Sequence, residues 1–224
     1  MKRGLLIIDR GSREREASEE LETICTGIKA KGDYVFTDYC FLDFLYPGKK
    51  VKIAVTDTMK LQKDTEVKFL ITKPMSMHKT LVDIVENRIA TTLKENNVTW
   101  PNKDVDVMII GHGSKDPNAQ MSLNYIVDEL KDSYRNVSRC WLEIEQPDIF
   151  EGIKKCEKDE PKVLIIVFYF LHEGAHVKTD INNDLIPALK DSSLKDVFIT
   201  KHIGTDEKII DLIIERAKEV EDAN

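Results

Sequence analysis

Short apolar runs alternate along this chain with segments whose apolar residues recur at helical spacing. In the second half, apolar runs predict strands over 105–110, 137–142, 163–170 and 197–200, and the helical period predicts helices over 119–134, 148–156, 178–189 and 207–220. Regular alternation of β and α elements implies a parallel sheet. Val163-Leu164-Ile165-Ile166-Val167 is apolar without interruption, as a strand covered by helices on both faces should be. The expected fold class is α/β.

The first half carries a second copy of the same pattern. Gly4 to Arg13 reads GLLIIDRGSR, and Asp104 to Lys115 reads DVDVMIIGHGSK. Each apolar run ends in a turn, Asp9-Arg10-Gly11-Ser12 or Gly111-His112-Gly113-Ser114, that precedes a helical pattern. Further on, Phe44-Leu45-Tyr46-Pro47-Gly48-Lys49-Lys50-Val51-Lys52 mirrors Phe170-Leu171-His172-Glu173-Gly174-Ala175-His176-Val177-Lys178, which sets Lys50 opposite His176. Asp83-Ile84-Val85-Glu86-Asn87-Arg88 likewise stands against Asp211-Leu212-Ile213-Ile214-Glu215-Arg216. The chain therefore reads as two tandem similar lobes, each a parallel sheet flanked by helices. Asn97, Pro101 and Asn102 carry turn chemistry without an apolar period, so the expected lobes are 1–98 and 99–224.

The copies differ in length. The shift between them is 100 at Cys40 and Cys140 but 126 at Phe44 and Phe170. The first lobe is thus short, between Leu42 and Phe44, by one helix plus one strand, about 26 residues. Either the lobe lost its third strand or a segment is omitted from the sequence. Losing a central strand would be a heavy cost to a small core, which favours omission.

Composition narrows the function. With 224 residues, 42% of them hydrophobic, the chain can bury one large core or two small ones. The N-terminal apolar run is short, and no stretch approaches the roughly 18 apolar residues of a membrane span, so a cytoplasmic protein with no membrane partner is expected. Cys25, Cys40, Cys140 and Cys156 show no C-x-x-C spacing and are expected to be reduced core residues. A net charge of -7 argues against nucleic acid as a partner. The chain has neither G-x-x-x-x-G-K-[ST] nor G-x-G-x-x-G, so no nucleotide is expected.

Two histidines remain as candidate chemistry. His112 follows a predicted strand between two glycines, and His176 follows another through Gly174, so both are expected at the C-terminal edge of one sheet, where open α/β sheets bind ligands. A single loop histidine is ordinarily structural or solvated; two on one edge can converge on a ligand. His-Gly after a strand is also found in histidine phosphatases, but their arginine beside the histidine is missing, since Gly111 precedes His112. His172, four residues before His176, is a weaker candidate for metal contact; His78 and His202 are expected at the surface, and Trp141 in the core.

Three segments in order carry a resemblance to a known family over essentially the whole chain. Ile109-Ile110-Gly111-His112-Gly113-Ser114-Lys115-Asp116 resembles the opening strand and Gly-His-Gly-Ser turn of the class II chelatases. Leu142-Glu143-Ile144-Glu145-Gln146-Pro147-Asp148-Ile149 resembles their Leu-Glu followed by a proline-led helix. Phe170 to Ile181 resembles their Gly-x-His and Asp-Ile segment. The family comprises sirohydrochlorin cobaltochelatases, sirohydrochlorin ferrochelatases and nickel-inserting relatives. The resemblance implies ATP-independent insertion of a divalent metal, cobalt first and iron or nickel otherwise, into sirohydrochlorin or a close tetrapyrrole, in cobalamin or sirohaem biosynthesis. His112 and His176 would hold the metal and help remove the pyrrolic protons, with Glu143 as a possible third ligand or proton acceptor. Neutral imidazole suits cobalt, nickel and iron and titrates near working pH.

The first lobe departs from the family pattern, with Arg10 at the position of His112 and Lys50 at that of His176, and neither binds a metal cation at neutral pH. With Arg13, Lys49 and Lys52 nearby, this edge is basic on an acidic chain. Arg10, Arg13 and Lys50, together with Ser114 and Lys178, are expected to contact the carboxylates of the tetrapyrrole. A metal or tetrapyrrole carrier would use the same histidines without turnover. The expected assembly is a monomer or homo-oligomer.

Overall fold

The computed structural model describes residues 3–9, 15–41, 68–115, 119–171, 179 and 181–223. They form two compact units, 1–75 with 205–224 and 76–204.

The second unit holds a four-stranded parallel sheet in the order β4-β3-β5-β6. Its strands are β3 (Val105–Gly111), β4 (Asn136–Trp141), β5 (Val163–Phe168) and β6 (Val197–Ile199). Every residue of β3 and β5 is buried, as the unbroken apolar run of a doubly covered strand requires. One face of these strands, Met108, Ile110, Leu164, Ile166 and Phe168, packs with Ile149, Ile153 and Cys156 of helix α4 (Ile149–Lys158) and with Ala188 of the short helix α5 (Ile186–Lys190). By the two-residue alternation of strands, Val107, Ile109, Ile165 and Val167 face the other way, toward helices α2 (Lys79–Glu95) and α3 (Ala119–Leu130).

Local chemistry starts the helices where the pattern predicts. Asp148 caps α4 by accepting from the Glu151 main-chain N–H at 2.8 Å. Buried Ile149, Gly152, Ile153 and Cys156 then recur at helical spacing. Helix α3 ends at Leu130, short of the expected 134, because the chain turns there, with the Ser133 N–H bonding to Leu130 O at 2.9 Å. Where a helix is expected over 178–189, the described residues form a π turn, Ile181–Leu185, running into α5. One charged residue is buried in the sheet: Asp106, 2% exposed, accepts from both Nε and Nη2 of Arg135 at 2.6 and 2.9 Å. The bidentate geometry is what makes a carboxylate tolerable there.

Among the described residues the first unit holds a two-stranded parallel sheet of β1 (Gly4–Asp9) and β2 (Phe36–Phe41), with helix α1 (Arg15–Lys31) against β2. The C-terminal helix α6 (Glu207–Asp222) packs on α1 and is tied by Arg3 to Glu221 at 2.7 Å and Lys31 to Asp211 at 2.9 Å. This corrects the expected division at 98 and 99. The two helices that the repeat makes equivalent, α2 and α6, are exchanged, each belonging to the unit of the other copy's strands. Their apolar stripes have the period that suits any helix-covered sheet, so pattern alone does not say which sheet each one covers.

The shortened stretch between Leu42 and Phe44 lies outside the described residues. In the second unit β6 hydrogen-bonds only to β5. Its counterpart in the first copy, 69–71, is described and forms no strand. Of the cysteines, Cys25, Cys140 and Cys156 are buried, Cys40 is partly exposed, and all are free thiols. No helix among the described residues is long and apolar enough to cross a membrane.

Candidate active site

The connection leaving β3 leads to β4 on one side of the sheet, and the connection leaving β5 leads to β6 on the other. The crevice between oppositely directed connections, outside the C-terminal ends of β3 and β5, is where an open parallel sheet binds its ligand. Ile110 and Phe168 are paired across these strands, and the Tyr169 N–H donates to Ile110 O at 3.0 Å. His112 lies two residues past Ile110. The segment carrying His176 follows β5, so this strand pair leads to both histidines. His176, Arg10, Arg13, Lys50 and Lys178 themselves lie outside the described residues.

His112 is partly buried, and its Nδ1 is fully buried without a hydrogen-bond partner among the described residues. A polar ring atom left in this state is unfavourable by about 1–3 kcal/mol unless a ligand satisfies it. The backbone around it is held firmly. Leu142 N–H donates to Gly111 O at 2.9 Å and Glu143 N–H to His112 O at 3.1 Å, so the chain leaving β4 zips onto the histidine turn. Gly113 has φ 92°, and the place a Cβ would take there is filled by the carbonyl oxygen of Glu143. No other residue allows both the left-handed turn and this approach. A Cβ at Gly111 would likewise meet the Trp141 ring at 2.6 Å, and Trp141, 4% exposed, is a core residue as expected.

Glu143 keeps an exposed side chain; what touches His112 is its main chain. A neighbour that the sequence reading did not single out is more deeply engaged. Glu145 Oε1 accepts from the Ser114 N–H at 2.8 Å, while its Oε2 is buried with no hydrogen-bond partner among the described residues. This contact engages the main chain of Ser114. This bond joins positions 31 residues apart, and no local spacing signals it. At the same edge Tyr169 is half-buried, its hydroxyl 3.4 Å from that of Ser122, and desolvation, only partly opposed by this hydrogen bond, pushes its ionisation up.

Elsewhere, His78 caps α2 by accepting at Nδ1 from the Thr80 N–H at 3.3 Å. His202 is partly exposed, and its carbonyl accepts from Arg88 Nε at 3.1 Å. Among the described residues no three His, Cys, Asp or Glu side chains cluster tightly enough to hold a metal ion.

Known proteins match this chain along its length. The sirohydrochlorin cobaltochelatase of Priestia megaterium is 24% identical over 206 residues, covering 79% of this chain and 66% of that protein, so the chain spans just under two thirds of that relative. The sirohydrochlorin ferrochelatase of the same organism is also 24% identical, over 200 residues, covering 76% of this chain and 73% of that protein. Among solved structures, SirB from Bacillus subtilis with Fe3+ superposes with a TM-score of 0.79 at 21% identity, covering 98% of this chain and 96% of that one; at this identity the likeness establishes the fold. The CbiX family model matches residues 106–220, more than half of the chain, and takes in β3 to α6 with the whole histidine turn. On that match the chain belongs to the CbiX family of class II chelatases.

Proposed function

We propose that this protein inserts a divalent metal into sirohydrochlorin or a closely related tetrapyrrole without ATP, with cobalt as the first metal and iron or nickel as alternatives. The observation that carries the reading is His112, whose buried Nδ1 has no partner among the described residues and which stands at the switch point between β3 and β5. The names of the Priestia megaterium relatives supply the substrate class.

In this reading the metal is a substrate, gripped by the imidazoles of His112 and His176. A neutral imidazole nitrogen offers one lone pair, which can hold the metal or a proton but not both. As the metal passes to the four nitrogens of the macrocycle, the lone pairs it vacates are free to accept the two pyrrolic protons, so charge is conserved through the transfer. Glu143, exposed beside His112, is available as a third ligand or as an onward proton acceptor. Arg10, Arg13 and Lys50 of the first copy are the main grip on the carboxylates of the substrate, helped by Ser114 and Lys178 of the second, which also carries the reacting histidines.

The test is direct: incubate the protein with sirohydrochlorin and Co2+, Fe2+, Ni2+ or Zn2+ in turn, and follow the absorption change on metallation. Faster insertion than in the protein-free control supports the reading. Tight binding of metal and macrocycle without any acceleration would make the protein a carrier.

A further inference from the structure

Ile144 lies between Glu143 and Glu145 with φ 70°, a region that β-branched residues almost never enter. The Glu145 N–H donates to Glu143 O at 2.7 Å, closing a three-residue turn around Ile144. With positive φ at its centre this is the strained, rare form of the γ-turn. Both flanks are pinned, by Glu143 N–H on His112 O and by the Ser114 N–H on Glu145, so the surrounding bonds hold Ile144 where its own preferences would not. The strain secures no core packing, because the side chain is 59% exposed, more than any other large apolar residue described. Glycine would make the same turn without strain.

Resting on the proposed function, we infer that Ile144 is a substrate-positioning residue, an apolar contact held beside His112 for the face of the tetrapyrrole macrocycle. A flat conjugated ring has apolar faces and a charged rim. A site for it needs an apolar surface next to the metal ligand as well as cations for the rim, and Ile144 is bracketed by two residues bonded to the His112 turn. A pinned turn presents that side chain in one position, so little freedom is lost on binding.

The experiment compares Ile144→Gly, Ile144→Ala and Ile144→Leu with the unaltered protein in three measurements: Kd for metal-free sirohydrochlorin by absorption titration, steady-state Co2+ insertion, and Tm. Ile144→Gly should raise Tm by a few degrees as strain is relieved, yet weaken macrocycle binding about tenfold, as withdrawing one aliphatic side chain from an apolar contact does. KM should rise with Kd while kcat changes little. Ile144→Ala should weaken binding similarly without the gain in Tm, and Ile144→Leu should retain most of the affinity. If the unaltered protein binds and metallates sirohydrochlorin while both Ile144→Gly and Ile144→Ala keep Kd within about twofold, less than one methylene is worth, Ile144 does not contact the substrate. If the unaltered protein neither binds nor metallates the macrocycle, the proposed function fails, and this inference with it.

Discussion

The main-chain N–H of Ser114 donates to Glu145 Oε1 at 2.8 Å, and the second oxygen of the same carboxylate is buried without a hydrogen-bond partner among the described residues. Glu145, on the same connection that leaves β4, therefore clamps the histidine turn at Ser114, and His112 sits between points fixed at Gly111 and Ser114. The clamp needs an acceptor oxygen at Ser114, which a carboxamide also supplies.

Glu145→Gln should then keep metal insertion within about threefold of the unaltered protein, whereas Glu145→Ala should lower kcat about 10–100-fold, the range for losing a group that orients a ligand. Steady-state insertion assays on both variants check this. Equal losses would mean that the charge of Glu145, and not its bond to Ser114, is what matters.

In the proposed mechanism, replacing His112 by Ala removes a metal ligand and a proton acceptor together. Turnover should fall at least about 100-fold, typical of a lost acid-base group. Metal-free sirohydrochlorin should still bind, because the residues proposed to hold its carboxylates are unchanged. Normal insertion by His112→Ala and by His176→Ala would refute the mechanism.

Arg10→Ala and Lys50→Ala should mainly raise KM, since carboxylate contacts made equally in ground and transition states contribute uniform binding. Added salt should weaken substrate binding less in these variants than in the unaltered protein. Unchanged KM in both would leave the first copy as scaffold alone.

Tyr134, 4% exposed, has its hydroxyl pushed up to about 12, by burial first and by Glu86 second. The unfolded chain ionises this tyrosine near pH 10, before the folded chain can. Its contribution to stability is thus fully present below pH 10 and is lost as pH rises through about 12. Tm measured across that window should fall less steeply for Tyr134→Phe than for the unaltered protein.

Local pattern was enough to read much of this molecule. The apolar pattern located all four strands of the second sheet to within one or two residues, because short apolar runs bounded by turn and helical segments are written in the local sequence, the doubly covered β3 and β5 as unbroken ones. The Gly-His-Gly turn after β3 was legible for the same reason: a strand, a glycine that must adopt φ 92° and a polar residue between glycines are adjacent in the chain.

What the sequence by itself determined, then, is which segments are strands and helices, that the chain is two copies of one unit, and that His112 stands at the C-terminal edge of a parallel sheet. Only the tertiary structure decided that β3 lies between β4 and β5, which puts the topological switch point at the ends of β3 and β5; that α2 and α6 are exchanged between the units; and that Glu143 and Glu145 bond to the turn carrying His112. The physical reason is the same in each case. An apolar stripe records that a face is buried but not against what, and a hydrogen bond across 31 residues leaves no period in the chain.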